Sequence, residues 1–85
     1  MDKKTITLEL TNYIIRGEVS VIDCNGKENA LFMDDYYVDT PDLDSIKAGL
    51  NTSRFGVQKV LSASIDIYEN YDGYEVYVDS INIDL

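Results

Sequence analysis

The chain has 85 residues, with seven Lys and Arg against sixteen Asp and Glu and a net charge of −9. Its length suits one domain, residues 1–85, and its 45% hydrophobic content suits a folded chain rather than a disordered one. The acidity argues against direct binding to nucleic acid, which needs clustered Lys and Arg, and against electrostatic attachment to anionic membranes.

Periodicity along the chain is mostly two, the signature of strands. Lys4–Leu10 alternates, with Ile6, Leu8 and Leu10 on one face, and Thr11-Asn12 reads as a tight turn. Tyr13–Asp23 follows, with Tyr13, Ile15, Val19 and Val21 in phase and Arg16, Glu18 and Ser20 opposite. A two-residue loop would pair Leu10 with Tyr13 and Leu8 with Ile15, and would set Thr7 against Arg16. Asn25-Gly26 is a hairpin signal of the kind that takes positive φ at both central positions, with a loop extending through Glu28 as the alternative. Asn29–Val38 is the next strand. Ala30, Phe32, Tyr36 and Val38 fall on one side and Leu31, Met33 and Tyr37 on the other, a two-sided pattern that predicts a central, covered strand.

A helix of about ten residues is expected after Thr40, with Thr40 as cap, Pro41 at the first position and Asp42 and Asp44 at the positive end of the dipole. Leu43, Ile46 and Leu50 share its buried face, and Gly49 and Asn51 mark its end. A long strand covers Val57–Glu69, although Ser53–Leu61 also reads as a short helix. Asp72-Gly73 is a second hairpin signal, and Tyr74–Leu85 is the last strand. A two-residue loop pairs Tyr71 with Tyr74, Tyr68 with Tyr77 and Ile67 with Val78. Continued unbroken, it would set Asp66 against Asp79, two like charges. One extra residue at Asp79-Ser80, a β-bulge, brings Ile65 to Ile81, Ala63 to Ile83 and Leu61 to Leu85 instead. The expected fold is α+β: an antiparallel sheet of about five strands with one short helix, in the order β-β-β-α-β-β.

Charge is unevenly distributed. Residues 34–46 and 60–85 hold eleven acids and no base, and the remainder holds five acids and all seven bases. Six of the seven tyrosines lie in the two acidic segments. Tyrosine favours interfaces because it joins a rigid apolar body to a polar tip. On the last hairpin, Asp66, Tyr68, Asn70, Glu75 and Tyr77 share the face opposite Ile67. Carboxylates there repeat about every 6.6 Å along a strand and could stand in for a phosphate backbone. The expected partner-binding residues are Asp66, Tyr68, Glu69, Asp72, Tyr74, Glu75, Tyr77 and Asp79, with Asp34, Asp35 and Asp39 in support. The bland alternative is a solvated acidic surface that only keeps the chain soluble.

Signals for catalysis are weak. There is no histidine, hence no His-based triad or His metal site. Cys24 is alone, so it has no internal disulfide partner and no neighbouring base. Asp39-x-x-Asp42-x-Asp44 lacks the glycine and the twelfth-position glutamate of a calcium loop, and helix capping already accounts for two of its members. No phosphate-cradling glycine loop is present. No apolar run approaches the roughly 18 residues of a membrane span, and no signal-peptide core follows the start.

These residues predict a non-enzymatic, cytoplasmic binding protein that needs no cofactor or metal. Its partner would be a protein with a basic surface, such as a nucleic-acid-binding enzyme whose groove the acidic face blocks. By size, acidity and β content it is similar in class to small phage-encoded inhibitors and nucleic-acid mimics, anti-CRISPR proteins among them, in which case it works in the host cytoplasm. The competing expectations are a self-associating virion or scaffold subunit and an immunity or antitoxin protein. The chain would be a monomer or a homodimer.

Overall fold

Strand β1 (Asn12–Ile22) is the spine of the fold in the computed structural model, which describes residues 8–85. Ile15, Val19 and Val21 alternate inward along it and are 0% exposed. Both of its edges are used. β2 (Glu28–Val38) pairs with it on one side and β3 (Lys59–Tyr71) on the other, and β4 (Tyr74–Asp84) pairs with β3. All pairings are antiparallel, and the strand order is β2-β1-β3-β4. The link from β2 to β3 carries two short helices, α1 (Leu43–Ala48) and α2 (Thr52–Phe55). Ile46, Leu50 and Phe55 from this link pack with Val38, Val60, Ile65 and Ile83 on one face of the sheet. The chain is α+β, as expected, with four strands and two helices among the described residues.

The expected fifth strand does not form there. Leu8–Leu10 lie outside any strand, and Lys4–Thr7, with the expected contact of Thr7 with Arg16, lie outside the described residues. A strand has only two edges. Tyr13 sits between Val38 and Glu69, and Ile15 between Tyr36 and Ile67, so neither has room for Leu10 or Leu8.

Among the described residues β2 is an edge strand, not a central one. Its two-sided pattern comes from a bulge. Ile15 pairs with Tyr36 and Gly17 with Met33, which leaves Asp34 and Asp35 together opposite Arg16. The extra residue reverses the alternation, so Leu31 and Met33 before it and Tyr36 and Val38 after it all face the core. Phe32 and Tyr37 are turned outward.

The Asn25-Gly26 hairpin takes the longer-loop alternative rather than the two-residue turn. Only Gly26, at φ 80°, has positive φ, so this is a three-residue loop that ends in a left-handed glycine. The Asp23 carboxylate holds it by accepting from the backbone N–H groups of Asn25 and Lys27 at 2.9 and 3.0 Å. Asp72-Gly73 does have positive φ at both positions, at 54° and 91°, and pairs Tyr71 with Tyr74.

The helix begins later than expected and breaks in two. Asp42, not Thr40, caps α1 by accepting from Ser45 N at 2.8 Å. Hydrogen bonding from the Ser45 side chain first, and from this backbone N–H second, holds the Asp42 carboxyl below its ordinary value. Asn51 then donates to the Ala48 carbonyl and accepts from Arg54 N, so one side chain closes α1 and opens α2.

The last hairpin keeps the expected pairs Tyr68–Tyr77, Ile65–Ile81 and Ala63–Ile83. Its bulge falls one residue early, at Val78, so Ile67 meets Asp79 rather than Val78. Either placement keeps Asp79 from facing Asp66. The observed one also turns Ser80 toward Asp66 and Tyr77, and it is held there by its hydroxyl.

Candidate partner-binding face

Both helices lie on one side of the sheet, and the register of the strands sets what the other side presents. Its rows run across the strands. Asn12, Asn70 and Glu75 form the first, and the Asn70 side-chain amide donates to Asn12 at 2.8 Å. Tyr37, Ile14, Tyr68 and Tyr77 form the second. Asp35, Arg16, Asp66 and Ser80 form the third, with Asp35 brought in by the β2 bulge. Phe32, Glu18, Ser64 and Asn82 form the fourth. Ile14 is 1% exposed although no helix covers it, because tyrosines lie in register on either side. Tyr68 and Tyr77 meet edge to face, with ring centroids 5.8 Å apart.

Arg16 ties this face together. Its Nε and Nη2 donate to the two carboxylate oxygens of Asp35 at 2.7 and 3.0 Å. Its Nη1 and Nη2 donate to Glu75 at 2.6 and 2.9 Å. The guanidinium reaches Glu75 by lying over the Tyr68 ring, 4.8 Å from its centroid. One side chain of β1 therefore links β2, β3 and β4, and the two acidic segments meet on it.

These hydrogen bonds raise the Arg16 pKa, those to Asp35 first. They also hold the Asp35 and Glu75 carboxyls below the usual carboxylate range, with the hydrogen bond from Arg16 as the main cause for each. The sign for stability follows. A depressed carboxyl pKa stabilises the fold at pH values above the unfolded value, near 4, and the contribution is lost as pH falls through the folded values. Carboxyl-detected NMR titration is expected to give low midpoints for Asp35 and Glu75, and Arg16→Met is expected to raise both. Midpoints unmoved by that substitution would show that the guanidinium does not set them.

The structure sorts the residues expected to bind a partner. Asp35, Asp66, Tyr68, Glu75 and Tyr77 share the open face. Glu69, Tyr74 and Asp79 point to the helix side, because Glu69 and Asp79 alternate with the outward Tyr68 and Ser80, and Tyr74 alternates with Glu75. Asp72 forms the hairpin turn. Asp34 is the other bulged residue, and its carbonyl accepts from Arg54 Nη2. Asp39 lies in the bend after β2. Arg16, Glu18, Phe32 and Tyr37 join the face without having been singled out. The signal for Phe32 and Tyr37 was present, since the reversal of phase around Asp34-Asp35 is a bulge pattern like that in the last strand.

Among the described residues no group of three or more His, Cys, Asp or Glu side chains is placed to hold a metal ion. Among the same residues no helix is long and apolar enough to cross a membrane. No family model matches the chain, nor does any curated protein or any solved structure.

Proposed function

We propose that this chain is a non-enzymatic binding protein that docks the open face of its sheet on a basic surface of a protein partner. The observation that carries this reading is the face that no described element covers, on which Tyr37, Tyr77 and Phe32 stand exposed among Glu18, Asp35, Asp66 and Glu75. Exposed aromatic groups among carboxylates supply contact area and electrostatic steering together. The partner we favour is a nucleic-acid-binding enzyme, whose groove offers clustered Lys and Arg, and the action is inhibition by occupying that groove. An anti-defence protein of the anti-CRISPR kind would act in this way.

Magnitudes set the form of any mimicry. From the Glu18 row to the Glu75 row is six residues of β3, or roughly 20 Å. Over that length the face carries four acids and Arg16, a net of three negative charges. Duplex DNA carries about one per 1.7 Å. The face is far more dilute than a duplex, so occupation of the groove and tyrosine contact must supply what charge does not.

A self-assembling role would use the sheet edges. Both edge strands carry bulges, at Asp34-Asp35 in β2 and at Val78 in β4, with acids at or beside each. Bulges and charges blunt an edge against pairing, which favours the docking reading. An immunity or antitoxin role would use the same face on a different partner.

The test is capture from lysate on the immobilised protein, washed at low and then high salt. Retention of a basic protein that salt releases and that DNA or RNA displaces is expected. Capture of nothing but further copies of this chain would overturn the reading.

A further inference from the structure

We propose that the shallow depression beside Arg16 on the open face seats an arginine side chain of the basic partner, an inference that rests on the docking reading above. The depression has a volume of about 460 Å³, and Arg16, Glu18, Phe32, Asp35, Ser64 and Asp66 are among its lining residues. Its origin is local. Arg16 leans over Tyr68 toward Glu75, away from the row that holds Glu18 and Phe32.

The hydrogen bonds show which groups remain for a ligand. Both Asp35 oxygens are engaged by Arg16. Asp66 accepts from the Ser80 hydroxyl through one oxygen, Oδ1, and Oδ2 remains. Glu18 makes no side-chain hydrogen bond among the described residues, so both of its oxygens remain. Glu18 and Asp66 are diagonal neighbours on β1 and β3, since Glu18 faces Ser64 and Arg16 faces Asp66. Phe32 stands directly across from Glu18 on β2 and is 85% exposed, the most exposed large hydrophobic side chain among the described residues. Carboxylates at two corners and an open aromatic ring at a third match a guanidinium, which is planar, donates in a fork and stacks on rings. An ammonium would use the carboxylates as a point charge and gain less from the ring. The same face already holds a guanidinium in this manner, since Arg16 lies over Tyr68 between Asp35 and Glu75.

The test is an amide NMR titration of the full chain with a nona-arginine peptide, and with a nona-lysine peptide in parallel. The expected result is saturable shifts at Gly17, Glu18, Phe32 and Ser64, with arginine binding at least several-fold tighter than lysine. Phe32→Ala is expected to remove that preference, and Glu18→Gln to weaken both peptides. Neither position is in the helix-side core, so both variants are expected to fold, as their own amide spectra will show. Shifts at Tyr37, Tyr68 and Tyr77 but not at the depression would overturn the arginine seat and leave the docking face standing. Shifts spread over all acidic segments alike, or none on this face, would overturn both.

Discussion

Gly17→Ala is expected to lower stability by about 3 kcal/mol or more, the upper range for overpacking a filled site. A Cβ built at Gly17 would lie 2.0 Å from the Ser64 carbonyl oxygen, and the obstacle is the backbone of β3. β1 and β3 are the two inner strands, so β3 cannot retreat without breaking the ladders on both of its sides. The φ of Gly17, +156°, adds strain for a residue with a side chain. Gly26→Ala is the control. Gly26 also has positive φ, at +80°, but its Cβ would meet nothing within 4 Å. Its loss is expected to be about 1–2 kcal/mol, that of one residue forced into the left-handed region. Urea denaturation of the two variants measures the difference. Equal midpoints would refute the close approach of β3 at Gly17.

The second large effect concerns association. Asp66→Lys with Glu75→Lys is expected to slow binding to the captured partner by roughly tenfold or more at low salt, as loss of electrostatic steering does. Glu69→Lys with Asp79→Lys changes the net charge by the same amount on the helix side of the sheet and is expected to slow it much less. The comparison needs this choice of residues because Glu75 and Asp79, though neighbours in sequence on one strand, face opposite ways across the Val78 bulge. Stopped-flow association at two ionic strengths reads the result. Equal slowing by both pairs would show that net charge alone steers the encounter, and that the open face has no special part. Circular dichroism of each pair guards against unfolding, since Glu75→Lys also removes one partner of Arg16.

The last hairpin was the most legible part of the chain. Asp72-Gly73 fixes a turn that few other residue pairs allow, and two constraints then act on the same strand. Apolar residues must share a face, and Asp66 must not face Asp79. Together they require a bulge, though either Val78 or Asp79-Ser80 could supply it. The core positions Ile15, Val19, Ile46, Leu50, Ile65 and Ile83 were likewise readable, because burial follows the period of each element. The tyrosines and acids could be seen to segregate together, and Tyr68, Tyr77, Asp66 and Glu75 could be placed on one face of one hairpin.

Sequence alone therefore determined the four described strands, the inward positions of β1 and β3 and the acid-rich, tyrosine-rich character of two segments, because these depend on neighbours a few residues apart. Beyond the two hairpins, only the tertiary structure decided which strands lie side by side. A strand pattern states which face is apolar but not which strand takes its edge, and β1 gave its edges to β2 and β3 rather than to Leu8 and Leu10. That choice put Arg16 between Asp35 and Glu75, residues 19 and 59 positions away, and turned two separate acidic segments into one face. Edge pairing is set by the sum of many cross-strand contacts and by where the helices can cover the core, and neither quantity is local in sequence.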